Sequence, residues 1–248
     1  MRLLICALVP LAVALAGCQE TEPNPMPDMS ESVQPSATAT PESATTPDQP
    51  LAGAASAAES DTVTVLFFGD SLTAGYGLPD PDLAYPALVG AQIEAAGVPV
   101  RVVNAGVSGE TSAGGRGRIA WALRQNTPDV FVLALGANDG LRGTDPAATR
   151  ENLDAILDAV EQAAPDARLV VAGMEALPNY GADYGDRFRE VFPAVAEAHG
   201  ATLIPFLLQD VAGERRLNQA DGVHPTAEGQ RIIAETVGQV VVPLALAD

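Results

Sequence analysis

From residue 61 onward, short apolar runs alternate with longer stretches in which apolar positions recur every three or four residues. The runs Val63–Phe68, Val100–Asn104, Val130–Leu135, Leu169–Gly173 and Thr202–Pro205 are rich in β-branched residues and do not alternate with polar ones. That is the pattern of strands buried on both faces. Ala84–Ala96, Thr111–Gln125, Pro146–Ala163, Arg187–His199 and Pro225–Val241 read as helices, and in the third of them Leu153, Ile156, Leu157 and Val160 fall on one face. Strand and helix alternate with no hairpin signal, which predicts a parallel sheet with right-handed crossovers and helices on both sides. The expectation is one α/β domain over 61–248: three layers, α/β/α, around a five-stranded parallel sheet. In such sheets ligands are met beyond the carboxyl ends of the strands. The residues after Phe68, Asn104, Leu135 and Gly173 are therefore the first place to look for chemistry.

The first sixty residues follow neither period. Met1-Arg2 leads into LLICALVPLAVALA, a short apolar core at the very start, ending in Leu15-Ala16-Gly17-Cys18. This has the form of an export signal over 1–17, and its end resembles the bacterial lipobox. The resemblance implies cleavage before Cys18, lipidation of that cysteine, and a membrane anchor. Gln19 at the next position points to the periplasmic face of the outer membrane. An ordinary secretory leader giving a soluble periplasmic or secreted protein is the alternative. Residues 18–60 are dominated by Pro, Ser, Thr, Ala and acidic residues, without aromatics or basic residues. Such a segment cannot bury enough apolar surface to offset chain entropy, so a disordered tether is expected. About forty residues of flexible coil span roughly 35 Å.

Charge and composition exclude several functions. The formal net charge is -19, and all thirteen basic residues are arginines. A surface this acidic repels nucleic acid, and no nucleic-acid partner is expected. Both cysteines, Cys6 and Cys18, precede the domain, which leaves it no thiolate nucleophile and no cysteine metal site. With only His199 and His224 available, a histidine-rich metal centre is excluded too. No metal and no cofactor is expected, and nothing points to more than a monomer.

What does stand at the strand ends is the equipment of acyl transfer. Gly69-Asp70-Ser71-Leu72 follows the first strand, Asn104-Ala105-Gly106 closes the second, Gly136-Ala137-Asn138-Asp139 follows the third, and Asp221-Gly222-Val223-His224-Pro225 precedes the last helix. Acyl transfer needs a nucleophile, a base, a group that orients the base, and donors for an oxyanion. Ser71 supplies the first, His224 the second and Asp221 the third. The backbone N–H groups of Ser71 and Gly106 and the Asn138 amide supply the donors. Asp70 and Asp139 are expected to hold loops by accepting backbone N–H groups. His199 reads as a helix end before Gly200, Trp121 as a core residue, and Pro225 as a first helical position.

GDSLTAGYG, NAGVSGET, LGANDGLRG and DGVHPTAEG resemble, in order, the four blocks of the GDSL or SGNH hydrolases, over about Val63 to Val241. The resemblance implies a flavodoxin-like sheet and a serine hydrolase, with Ser71, Gly106, Asn138 and His224 as the four named residues. NDGLRG, LPNYG, IPFLL and LNQADGVHPTAEGQ are most similar to the multifunctional thioesterase I/lysophospholipase/arylesterase branch. That branch implies an acyl pocket lined by Leu72, Leu141, Leu177, Pro178 and Tyr180, and acyl esters or thioesters as substrates. The same scaffold also serves carbohydrate acetylesterases. A tethered, non-catalytic lipid- or glycan-binding protein is the remaining alternative.

Overall fold

A computed structural model describes residues 62–247. The export signal, Cys18 and the expected tether lie outside the described residues. In chain order the elements are β1 (Val63–Gly69), α1 (Ser71–Ala74), α2 (Tyr85–Ala95), β2 (Val100–Gly106), α3 (Ser112–Gln125), β3 (Val130–Ala134), α4 (Ala137–Arg142), α5 (Pro146–Ala163), β4 (Arg168–Ala172), α6 (Ala182–Arg189), α7 (Val191–Ala198), β5 (Thr202–Ile204) and α8 (Ala227–Leu246). The five strands form one sheet in the order β2-β1-β3-β4-β5, every neighbouring pair parallel. Helices α2 and α8 pack together on one face, and α3, α5 and α7 on the other. This is the doubly wound arrangement, and its direction of winding reverses between β1 and β3.

The expectation that every strand is buried on both faces holds for β1, β3 and β4, whose core residues have essentially no exposure. It fails for β2 and β5, which are partly exposed. Each is an edge strand with a single neighbour, so half of its surroundings is not sheet. The core beneath them is continuous. Phe67, Phe68, Phe131, Phe188 and Phe192 are all fully or almost fully buried, and burying one such side chain stabilises by about 1.5–3 kcal/mol.

Two helices differ from the sequence pattern for local reasons. The stretch expected as one helix from Arg187 to His199 is two, α6 and α7, broken at Glu190. Pro193 lacks an N–H, and its ring would collide with the Arg189 carbonyl of a continuous helix. The last helix begins not at Pro225 but after Thr226, whose side chain accepts from the Gly229 N–H. A hydroxyl cap satisfies an end N–H that proline cannot. Pro225 instead forms an isolated antiparallel bridge with Asn218. Trp121, expected in the core, is 59% exposed on α3; the buried face of that helix belongs to Ser112, Gly115, Ile119 and Ala122.

Candidate active site

Ser71 is the first residue of α1, a single turn that could not persist alone. One neighbouring and two distant groups hold it. The Asp70 carboxylate accepts from the Leu72 N–H at 3.0 Å. Gln230 of α8 donates to Leu72 O at 3.3 Å, and Asn104 of β2 donates to Thr73 O at 2.9 Å. Gly69 permits the sharp exit from β1, since a Cβ there would lie 2.0 Å from Thr73 Oγ1 and 2.8 Å from Ala134 O.

His224 lies on a small loop closed by bonds from Gln219 N–H to His224 O at 2.7 Å and from Thr226 N–H to Leu217 O at 2.8 Å. Its Nδ1 is 2.7 Å from Asp221 Oδ2, and its Nε2 is 3.0 Å from Ser71 Oγ. An ionised carboxylate only accepts, so Nδ1 carries the ring proton and Nε2 is left to accept from the serine hydroxyl. Asp221 also accepts the backbone N–H groups of Val223 at 2.9 Å and His224 at 3.0 Å. The His224 side chain, then the His224 and Val223 N–H groups, hold the Asp221 carboxyl well below the usual range. It stays ionised at every pH at which the histidine could work. Tyr76 packs its ring 4.6 Å from the imidazole, centroid to centroid.

The oxyanion donors need one correction. Gly106, expected to offer its N–H, gives it to Asn104 Oδ1 at 3.0 Å. It does not line the cavity beside Ser71. Its Cα hydrogen faces α1 so closely that a Cβ in its place would lie 2.3 Å from Ala74 N. The glycine that lines the cavity with Ser71 and Asn138 is Gly109, three residues further on in the same block. Val107 to Glu110 is a turn closed by Glu110 N–H to Val107 O at 3.2 Å. Gly109, at its third position, has φ of 79°, which that position of a type II turn requires. Its N–H has no acceptor among the described residues. The signal was in the sequence as the second glycine of NAGVSGET; only the turn distinguishes the two. Asn138 stands at the cavity as expected, its amide donating to Glu110 O at 3.0 Å and, at a longer 3.3 Å, to Asp70 Oδ2.

Asp70 and Asp139 hold loops, as expected. Asp139 is buried and accepts Ser112 N–H at 2.8 Å and Ser112 Oγ–H at 2.6 Å. Burial of Asp70 pushes its carboxyl from 3.8 up to about 6, against the Leu72 N–H and the Asn138 amide. An acid with a higher pKa folded than unfolded stabilises fully below pH 3.8 and loses that contribution as the pH rises through about 6. At about 1.4 kcal/mol per pH unit the loss is about 3 kcal/mol. Asp70→Asn is expected to gain about 2 kcal/mol on the wild type between pH 4 and 8. Urea unfolding across that range checks this, and parallel curves for the two chains would contradict it.

The cavity in front of Ser71 has a volume of about 430 Å³. Of the expected pocket residues, Leu72, Leu141 and Leu177 line it; Pro178 and Tyr180 do not. The Tyr180 ring lies against Gly143, and its hydroxyl donates to Leu141 O at 2.9 Å, so it braces the wall from behind. Met174, Phe206 and Leu208 complete the apolar lining. Met174 follows β4 and Phe206 follows β5, so the strand-end rule could have found both.

Asp158, Glu161 and His199 bring possible ligand atoms within 4.8 Å of one another, away from this cavity. His199 caps α7, its Nδ1 hydrogen-bonded to Glu161 Oε1 at 3.0 Å and its Nε2 3.4 Å from Asp154.

With the geometry described, comparison with known proteins gives a consistent result. Residues 67–232 match the model of the GDSL-like Lipase/Acylhydrolase family. The chain is 39% identical over 181 residues to Esterase TesA of Pseudomonas aeruginosa, covering 73% of this chain and 89% of that one. It is 36% identical over 188 residues to Thioesterase 1/protease 1/lysophospholipase L1 of Escherichia coli, covering 76% and 86%. Among solved structures, a crystal structure of TesA aligns with a TM-score of 0.69 at 38% identity, over 73% of this chain and 99% of that one.

Proposed function

This chain belongs to the GDSL-like lipase/acylhydrolase family and is a serine hydrolase acting on esters, and from that premise we propose that Ser71, His224 and Asp221 carry the reaction. The observation on which this rests is the unbroken chain of contacts from Ser71 Oγ through the imidazole to Asp221. His224 Nε2 takes the hydroxyl proton as Oγ attacks the acyl carbon, and Asp221 stabilises the imidazolium. The negative oxygen is met by the Ser71 and Gly109 N–H groups and by the Asn138 amide hydrogen that otherwise rests on Asp70 Oδ2 at 3.3 Å, the other staying on Glu110 O. The imidazolium then protonates the leaving alkoxide or thiolate. Water, deprotonated by the same nitrogen, attacks the acyl-serine and returns the enzyme.

The cavity takes the acyl chain. Leu72, Leu141, Met174, Leu177, Phe206 and Leu208 offer it an apolar wall, which favours a fatty acyl group over the acetyl group of a sugar ester. The names of the relatives put thioesters and lysophospholipids beside oxygen esters as substrates. The N-terminal sequence supports export and lipid anchoring at Cys18, with the domain held off the membrane at its tether. Every group of the site comes from one chain, so the reading requires no second copy.

A series of p-nitrophenyl esters tests the substrate class. Each buried methylene is worth about 0.8 kcal/mol, so kcat/KM is expected to rise by roughly threefold to fourfold per methylene from acetate to the medium chains. A maximum at acetate with a fall beyond butyrate contradicts the fatty-acyl assignment. Labelling by a fluorophosphonate, read by mass spectrometry, is expected at Ser71 alone; a folded protein that takes no label contradicts the serine mechanism.

A further inference from the structure

We infer that the Arg118–Glu110 ion pair positions the two oxyanion donors that do not belong to the nucleophile, Gly109 and Asn138. The inference rests on the serine-hydrolase mechanism and concerns how its geometry is held. Arg118 projects from α3 toward the carboxyl ends of β1 and β2. Its Nε donates to both Glu110 oxygens at 2.7 Å, and its Nη2 donates to Glu110 as well. Nη2 further donates to Ala105 O at 2.8 Å and to Gly69 O at 3.2 Å. The guanidinium carbon lies 3.9 Å from the centre of the Phe68 ring. The pair is largely removed from solvent, the side chains being 20% and 8% exposed.

Gly69 is two residues before Ser71, and its carbonyl accepts the Val107 N–H at 3.0 Å as well as Arg118. Glu110 directly follows Gly109, and its own carbonyl accepts the Asn138 amide at 3.0 Å. One guanidinium thus ties the end of β1, the end of β2 and the turn Val107–Glu110 together, and through Glu110 it reaches the residue on either side of the oxyanion. From the outer side Arg142 donates to Gly109 O at 3.1 Å. Donors at such a site act only if held within a few tenths of an ångström of where charge develops. A type II turn whose glycine has no side chain to pack cannot hold itself to that tolerance. A fork of donors that grips a carboxylate and two carbonyls at once can, and lysine, a single charge on a flexible stem, cannot replace it.

Glu110→Gln sets an amide NH₂ or a weaker acceptor against the guanidinium, and Arg118→Met keeps much of the stem while deleting the fork. Both are expected to lower kcat on a p-nitrophenyl ester by about 100-fold, with KM within about threefold, because the acyl pocket is untouched and transition-state stabilisation is what suffers. Arg118→Lys is expected to recover less than a tenth of the loss. The double variant is expected to be no worse than either single one, since both break one device. Rates are taken per folded molecule, from active fractions measured well below each Tm. Wild-type kcat per folded molecule in Glu110→Gln and Arg118→Met, whatever their Tm, overturns the positioning role. Additive losses in the double variant overturn it as well. Ser71→Ala measured beside them separates the two readings: if it is inert while the pair variants keep full kcat, only the positioning role falls. If Ser71→Ala itself turns over at the wild-type rate, the serine mechanism falls and the positioning role with it.

Discussion

Ser71→Ala is expected to lower kcat for p-nitrophenyl ester hydrolysis by about 10⁴-fold or more, while the protein stays folded. Among the described residues the hydroxyl bonds only to His224 Nε2. The turn that carries it is held instead by Asp70, Gln230 and Asn104. Removing one oxygen from a residue that is 8% exposed therefore leaves those three anchors in place. The same loss is expected for His224→Ala, and the Ser71→Ala/His224→Ala pair should be no slower than either alone, because nucleophile and base act as one unit. Multiplicative losses in the pair would mean that the two act separately. Circular dichroism and the urea midpoint of each variant, measured beside the rates, ensure that the comparison is between folded proteins.

The second large effect concerns stability. Gly106→Ala is expected to destabilise the domain by about 3 kcal/mol or more. The added carbon would lie 2.3 Å from Ala74 N, 2.8 Å from Ala74 Cα and 2.8 Å from Asp70 O. All three atoms belong to the backbone and cannot rotate away, so α1 would have to move relative to β2. Gly109→Ala provides the contrast. Among the described residues nothing lies within 4 Å of the added Cβ, so the cost is the left-handed φ alone, about 1–2 kcal/mol. Urea unfolding of the two variants ranks them. A Gly106→Ala protein as stable as the wild type would show that β2 and α1 do not meet as closely as described. The ranking also separates the two glycines by role, one fitted between elements and the other on the rim of the cavity.

The sheet was legible in the sequence because its central strands are continuous apolar runs, and Val63–Phe68 and Val130–Leu135 fall within a residue of β1 and β3. That Ser71, His224 and Asp221 come together was legible because such chemistry is restricted to a few residue types, placed here after the first strand and before the last helix. Elsewhere local chemistry competed with the pattern. Pro193 divided a helix that periodicity alone ran together, and with Thr226 as its cap the last helix starts at Ala227, two residues after the Pro225 expected as its first position. Trp121 was misplaced because a large apolar side chain on a small-residue helix gives no indication of the face it occupies. Gly106 and Gly109 could not be separated by composition, since the difference lies in a hydrogen bond from one and a positive φ at the other. Tyr180 sits where the acyl-wall pattern put it along the chain, but its hydroxyl is committed to Leu141 O, its ring lies against Gly143, and it does not line the cavity.

The separation of Ser71 from His224 by 153 positions also governs when the chain becomes an enzyme. Ser71 is synthesised directly after the first strand of the domain, and His224 only just before the final helix. Gln230, which steadies the serine's turn, comes later still. A ribosome-bound or partly threaded chain therefore carries the serine without a partner to deprotonate it. Loop closure over so many residues is among the slower contacts for a chain to make. On the proposed mechanism, hydrolytic competence therefore requires a chain synthesised at least through His224.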